Sequence, residues 1–298
     1  MEKILIEYAN ETYPERLRKI KNPPSRLYAL GNIEILNEIG IAVVGSRTNT
    51  QYGERMCKKF TKNLVEYNIN IISGLAYGID SIAHKTCLNN SGKTIAVLPS
   101  GLDKICGSTN KNLIQYILKN NGVIISEYEN EIEASSEKFL ERNRIVAGLA
   151  VGTLVVEAGY RSGTKVTARH TLENGNPLFC IPSSLENIKG KTTNELIQQG
   201  AELVTCVEDM FKVIYEKNPQ TKFSKKIIKD KNTFWNVAPE LKVVLKNIDD
   251  IPRDVNQIAQ ASKIAINEVN YKIMLLQLDG KILELPGHRF IRNNKEEW

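Results

Sequence analysis

The chain has 298 residues, 42% of them hydrophobic, and a formal net charge of +6 at pH 7. That length and apolar content suit one large α/β domain with a small companion, and they exclude a largely disordered chain. No apolar run approaches the ~18 residues of a membrane span, and the start MEKILIEYANETYPER lacks the charge-then-apolar order of a signal peptide, so a cytoplasmic location is expected.

Residues 13–36 read as a short helix, a Pro23-Pro24 break and an extended segment, so that 1–37 forms a lead-in and not a domain. Strand-like runs then recur at 41–45, 69–72, 94–98, 123–125, 152–156, 177–181 and 202–204, separated by segments of helical periodicity. Met56, Phe60 and Leu64 mark one apolar helix face; Leu113, Ile114, Ile117 and Leu118 mark another that ends before Gly122. This alternation predicts an α/β fold over 38–215, a Rossmann-like, doubly wound and mostly parallel sheet covered on both sides. Ligands in such sheets bind beyond the carboxyl ends of the strands. Five cysteines (Cys57, Cys87, Cys106, Cys180 and Cys206) lack CxxC spacing, which argues against zinc and, in a reducing compartment, against disulfides.

Three strand-to-helix junctions carry glycine turns: IAVVGSRTNTQY from Ile41, IISGLAYGIDSIAH from Ile71 and TLVVEAGYRSGTKVTA from Thr153. Glycine lets backbone N–H groups approach an anion closely, and the positive end of the next helix lies behind them. In register on one sheet edge, the three turns would converge on a single phosphate-binding site.

From Glu216 to Thr233 six lysines face only Glu216 and Asp230, so much of the net charge sits in a basic linker, 216–235. It reads as a solvated tether or as an arm that attracts nucleic acid. Beyond it, 236–298 shows helices at Pro239 to Ile248, Asp254 to Ser262 and Ala265 to Leu278, then two strands around Pro286-Gly287, the order of a winged helix. Outside its apolar face the third helix offers Asn267, Glu268, Asn270 and Lys272, little charge for a helix meant to enter a DNA groove.

The segments PPSRLYALGN, VVGSR, SGLAYGIDSIAH, TIAVLPSGLD, FLERNRIVAGL and VVEAGYRSGT, in this order and followed by the winged helix, resemble the DNA-processing protein A family, DprA or Smf. The resemblance covers about residues 13 to 293. It implies a Rossmann-like core that binds single-stranded DNA without sequence preference, dimerises, and loads the RecA recombinase onto incoming strands during natural transformation. It implies no catalysis and no cofactor. The helical domain that many members carry ahead of the core is not expected here, since only about a dozen residues precede Tyr13. Pro99 and Cys106-Gly107 depart from the family pattern, as does Lys165, which stands where an apolar residue is usual and adds a candidate phosphate contact.

Within this frame Gly45, Ser46 and Arg47 form the first turn, where the guanidinium can reach a phosphate or pair with a carboxylate. Ser73, Gly74 and Gly78 fit the same anion site or a tight structural turn. Phe139 offers a face for a base beside Arg142, Asn143 and Arg144; since 142 and 144 point about 200° apart on a helix, one is expected at DNA and the other bracing the core or a dimer neighbour. Ser162, Gly163, Thr164 and Lys165 open the third helix of the set. Asp80 and His84 share a helix face, as an acid/base couple or, the preferred reading, a bracing hydrogen bond. Glu157 ends a strand near Arg161 and Ser162. In the Lonely Guy nucleotide hydrolases, which look like distant relatives, a glutamate and a glycine-threonine motif act on a glycosidic bond, but here AGYRSG replaces the double-glycine run that accompanies it. The expected protein is a non-enzymatic single-strand binder; the alternative is a nucleotide sensor or hydrolase using the same pocket.

Overall fold

A computed structural model describes residues 2–104, 108–160, 162–221, 223, 237–249 and 251–293. Cys106-Gly107, Arg161 and most of the basic linker lie outside the described residues. The chain divides into two units, Met1–Lys226 and Ile227–Trp298. Among the described residues no helix is long and apolar enough to cross a membrane.

The first unit is built on a nine-stranded sheet in the order β1-β2-β6-β5-β4-β3-β7-β8-β9. Its strands are β1 (Lys3–Glu7), β2 (Arg26–Gly31), β3 (Gly40–Val44), β4 (Asn70–Ser73), β5 (Thr94–Val97), β6 (Val123–Ser126), β7 (Thr153–Val155), β8 (Leu178–Cys180) and β9 (Glu202–Leu203). From β6 across to β9 all pairings are parallel; β2 joins β6 antiparallel, and β1 joins β2 antiparallel. The expected lead-in thus contributes two strands to the sheet. It also contributes a short helix, α1 (Glu15–Arg18), and the Tyr13 hydroxyl donates to the Pro24 carbonyl at 2.7 Å, tying the double-proline segment down.

The central strands are buried at every position because both faces are covered. On β3, Ile41 and Val43 point into one core with α2 (Gln51–Glu66), α3 (Ile79–Asn89) and α8 (Val207–Lys217). Ala42 and Val44 point into the other, with α1, α5 (Ser136–Leu149) and α6 (Thr164–Glu173). The period of two along a strand is what separates the two cores. The remaining helices of this unit are α4 (Ser108–Lys119), which packs over β5 and β6, and α7 (Lys191–Gln198).

Strand order reverses between β3 and β7: the chain builds outward from β3 through β4, β5 and β6, then returns to β7 on its other side. At such a reversal the connections leave in opposite directions and open a crevice at the carboxyl ends. Both strands that flank it end in glycine turns.

In the second unit α9 (Pro239–Lys246), α10 (Val255–Ser262) and α11 (Ile266–Leu278) pack on a small sheet. Its strands β10 (Arg253–Asp254), β11 (Ile282–Leu285) and β12 (Arg289–Arg292) take the order β10-β12-β11. Asp254 caps α10 through a reciprocal pair with Gln257. Lys272, the positive charge expected on the outer face of α11, is instead buried and paired with Glu268 at 2.6 Å.

Candidate nucleic-acid interface

The loop from β3 to α2 is fixed from below by Glu157, which follows β7 and is 1% exposed. Its backbone carbonyl accepts the Ser46 N–H at 2.6 Å. Its carboxylate accepts the Thr50 N–H at 2.7 Å, the Thr50 hydroxyl at 2.6 Å and the Asn187 amide at 3.0 Å. Gly45 lies over that same carbonyl. Both oxygens of Glu157 therefore hold the loop in place, the work of an anchor.

Held this way, Arg47 is exposed, and its guanidinium lies 4.8 Å from the centroid of the half-buried Phe139 ring in the first turn of α5. Among the described residues no carboxylate is within ion-pair distance of Arg47. The structure thus brings together a cation and an aromatic face that stand 92 positions apart, by subtraction of 47 from 139, in the sequence.

The β4 turn does something different from the expected phosphate cradle. The Ser73 hydroxyl donates to the Val43 carbonyl at 2.7 Å, and the Gly74 and Ala76 N–H groups donate to the Asp80 carboxylate at 3.1 and 3.4 Å. An anion already occupies the turn, supplied by the first turn of α3. Burial pushes the Asp80 carboxyl upward, while the Arg142 cation and these N–H donors oppose it. Gly78 has φ +76°, and a side chain there would meet the Arg47 carbonyl oxygen at 2.7 Å, so it is the point where the first two turns touch.

Arg142 is the main correction. It is 3% exposed, and its Nη1 donates to the carbonyls of Gly74, at 2.5 Å, and Val97, tying the ends of β4 and β5 together. Burial lowers its pKa to about 10, with the Asp80 charge acting against that, so it stays a cation. A Cβ on Gly74 would fall 2.6 Å from its guanidinium carbon, so that glycine makes room for the arginine and not for a phosphate. Arg144, on the other side of α5, donates to Glu127 at 2.5 Å in a largely buried pair. Both arginines brace the fold, where one had been expected at DNA.

In the third turn the Ser162 hydroxyl accepts the Thr164 N–H at 3.2 Å just ahead of α6, and the Asn143 amide donates to the Gly163 carbonyl at 3.4 Å. Lys165 reaches Glu195 at 3.0 Å. Sequence reasoning passed over Tyr160, Lys189 and Lys191, which the fold adds to this edge. Lys189 Nζ donates to the Thr48 carbonyl of the first turn. The available signal was a tyrosine followed by basic residues, and a lysine pair around Gly190.

A family model described as DNA recombination-mediator protein A matches residues 4–215. The chain belongs to this family. Protein Smf of Escherichia coli K12 is 35% identical over 290 residues, covering 95% of this chain and 76% of that protein. DNA processing protein DprA of Streptococcus pneumoniae R6 is 40% identical over 201 residues, covering 67% of this chain and 71% of that protein. The X-ray structure of S. pneumoniae DprA superposes with a TM-score of 0.68 at 36% identity, covering 75% of this chain and 76% of that one. DprA from Helicobacter pylori, whose structure is described as giving insight into its single-stranded DNA binding mode, superposes with a TM-score of 0.64 at 30% identity, covering 73% of this chain and 97% of that one.

Asp80 and His84, neighbours on one helix face in this family member, do not form a couple. Thr94 donates its hydroxyl to the Ile71 carbonyl at 2.7 Å, so His84 Nδ1, 2.7 Å from that hydroxyl, must carry the proton and donate. His84 Nε2 is buried and, among the described residues, without a partner. Burial, and secondarily the Arg142 charge, lower its pKa to about 3. The unfolded chain takes up this proton below about pH 6.5 and the folded chain does not, so this stability is present above that pH and is lost as pH falls toward 3. In urea unfolding at pH 7 and pH 5, wild type should lose about 2 kcal/mol more than His84→Asn, at ~1.4 kcal/mol per pH unit. Equal losses would mean that His84 is protonated in the folded protein.

Proposed function

We propose that this protein is a non-enzymatic recombination mediator whose core holds single-stranded DNA at the β3–β7 crevice. The observation that carries the reading is Arg47 lying over the half-buried Phe139 ring without a carboxylate partner among the described residues. A strand needs a charge for its backbone and a ring face for an unpaired base, and this pair supplies both in one place. Gly45 and Ser46 position Arg47. Ser162, Gly163, Thr164, Asn143 and Lys165 form the neighbouring rim, while Ser73, Gly74, Gly78, Arg142 and Arg144 support the site from within. Membership of the recombination-mediator family supports loading of RecA onto strands taken up in natural transformation, with a homodimer as the working form in the cytoplasm.

A hydrolase would need Glu157 free to act on a sugar. With its carboxylate committed to Thr50 and Asn187, the residue serves the loop. The second unit, ordered helix, strand, helix, helix, strand, strand, is best read as a winged helix. The outer face of its α11 carries Ile266, Tyr271, Met274 and Leu278, a surface ill suited to phosphates.

Competition binding to a labelled oligothymidylate tests the assignment. Unlabelled single strands should displace the probe, and duplex of the same length and free nucleoside monophosphates should not. Equal displacement by duplex would overturn the single-strand reading, and displacement by the monophosphate alone would favour a nucleotide sensor.

A further inference from the structure

Tyr160 lies in the loop between β7 and α6, and it is 61% exposed. Two ammonium groups stand over its ring: Lys165 Nζ at 5.4 Å and Lys191 Nζ at 5.5 Å from the centroid. Two like charges on one ring repel, and only Lys165 has a counter-charge, Glu195 at 3.0 Å. Among the described residues Lys191 has no carboxylate within ion-pair distance. An exposed cation–π contact stabilises the fold only weakly, a small return for leaving a large ring in water under two cations. A polyanion whose flat bases stack through their faces does reward it.

The arrangement repeats that of Arg47 on Phe139, one loop away. β3 and β7 are paired neighbours, with Val44 opposite Val155, so their following loops leave the same sheet edge side by side. Two bonds join the surroundings of the two rings: Asn143 to the Gly163 carbonyl, and Lys189 to the Thr48 carbonyl. We propose that Tyr160, with Lys165 and Lys191, is a second base-stacking subsite for a single nucleic-acid strand, adjoining the one at Arg47 and Phe139. The proposal rests on the single-strand reading above and adds the next stretch of the strand's path.

In the free protein the cations occupy the ring face. A base stacks on a ring more strongly than an exposed ammonium does, so an arriving base displaces the lysines, which swing on flexible stems to the flanking phosphates. The same side chains thereby serve the empty and the filled site, without backbone movement. Such a subsite is indifferent to base identity, because every base has a face to stack.

The test uses the full chain and a length series of labelled oligothymidylates, read by fluorescence anisotropy, with Tyr160→Ala, Tyr160→Phe and Arg47→Glu. Tyr160→Ala should weaken binding of the longer strands by about tenfold and leave the shortest binding strands unaffected, since these fill the Arg47 subsite alone. Tyr160→Phe should keep wild-type affinity, because the ring remains. Irradiation of a bromodeoxyuridine-substituted strand should crosslink to the peptide containing Tyr160. If Arg47→Glu weakens binding while Tyr160→Ala matches wild type at every length and no crosslink reaches Tyr160, the second subsite is wrong and the first stands. If wild type itself does not bind single strands, both fall.

Discussion

Arg142→Ala should destabilise the first unit by ~3–5 kcal/mol, the usual cost of removing one member of a buried charged network. The side chain donates to the carbonyls that end β4 and β5, and its charge is the one that moderates the buried Asp80 carboxylate. Alanine would leave both carbonyls short of a donor and the carboxylate without its cation, over a cavity that Gly74 cannot fill. A melting temperature lower by on the order of 10 °C is the expected readout. Arg142→Lys should recover part of it, keeping the charge but losing the planar fork that spans two strands. A variant that melts with wild type yet fails to bind DNA would show instead that Arg142 faces the strand.

The largest effect on binding should come from Arg47→Glu. The residue is exposed and holds no strand together, so the variant should fold normally and lose affinity by more than tenfold, at least ~1.4 kcal/mol. Two further features identify a phosphate contact. The loss should be the same for every sequence, since phosphate carries no base information. The slope of log affinity against log salt should also flatten by roughly 0.7, the share of one neutralised phosphate on a single strand. Unchanged affinity at moderate salt would remove Arg47 from the site.

The parallel part of the sheet is legible from sequence because most of its strands are short, largely apolar runs that alternate with segments of helical periodicity. β1 and β2 are not, since they form the antiparallel edge and alternate exposed with buried positions over only a few residues. Pro23-Pro24 beside them further disguises a strand. At the site, Arg47 and Phe139 could be named because each sits at a recognisable junction. Ser73 and Gly74 were assigned to phosphate because a glycine turn does not announce whether its anion is external, although Asp80, six positions after Gly74, was the clue that it is internal. The opposite directions of Arg142 and Arg144 follow from helix geometry, but that both point at protein depends on Val97, Gly74 and Glu127, which only the folded chain brings near. Tyr160 and Lys191 meet for the same reason: they flank a strand and two loops, and no local pattern connects them.

The carboxylate that fills the β4 turn cannot dissociate, since it is covalently part of the helix that follows. The N–H groups of that turn are therefore committed before any strand arrives, and phosphate in the buffer has no bound ion there to displace. On the proposed reading, strands of differing sequence are accommodated by side chains at the rim, over a turn already closed by its own carboxylate. A mediator that must accept whatever strand is presented would gain from this division, with a preset floor under each nucleotide and rim side chains left to meet a purine or a pyrimidine.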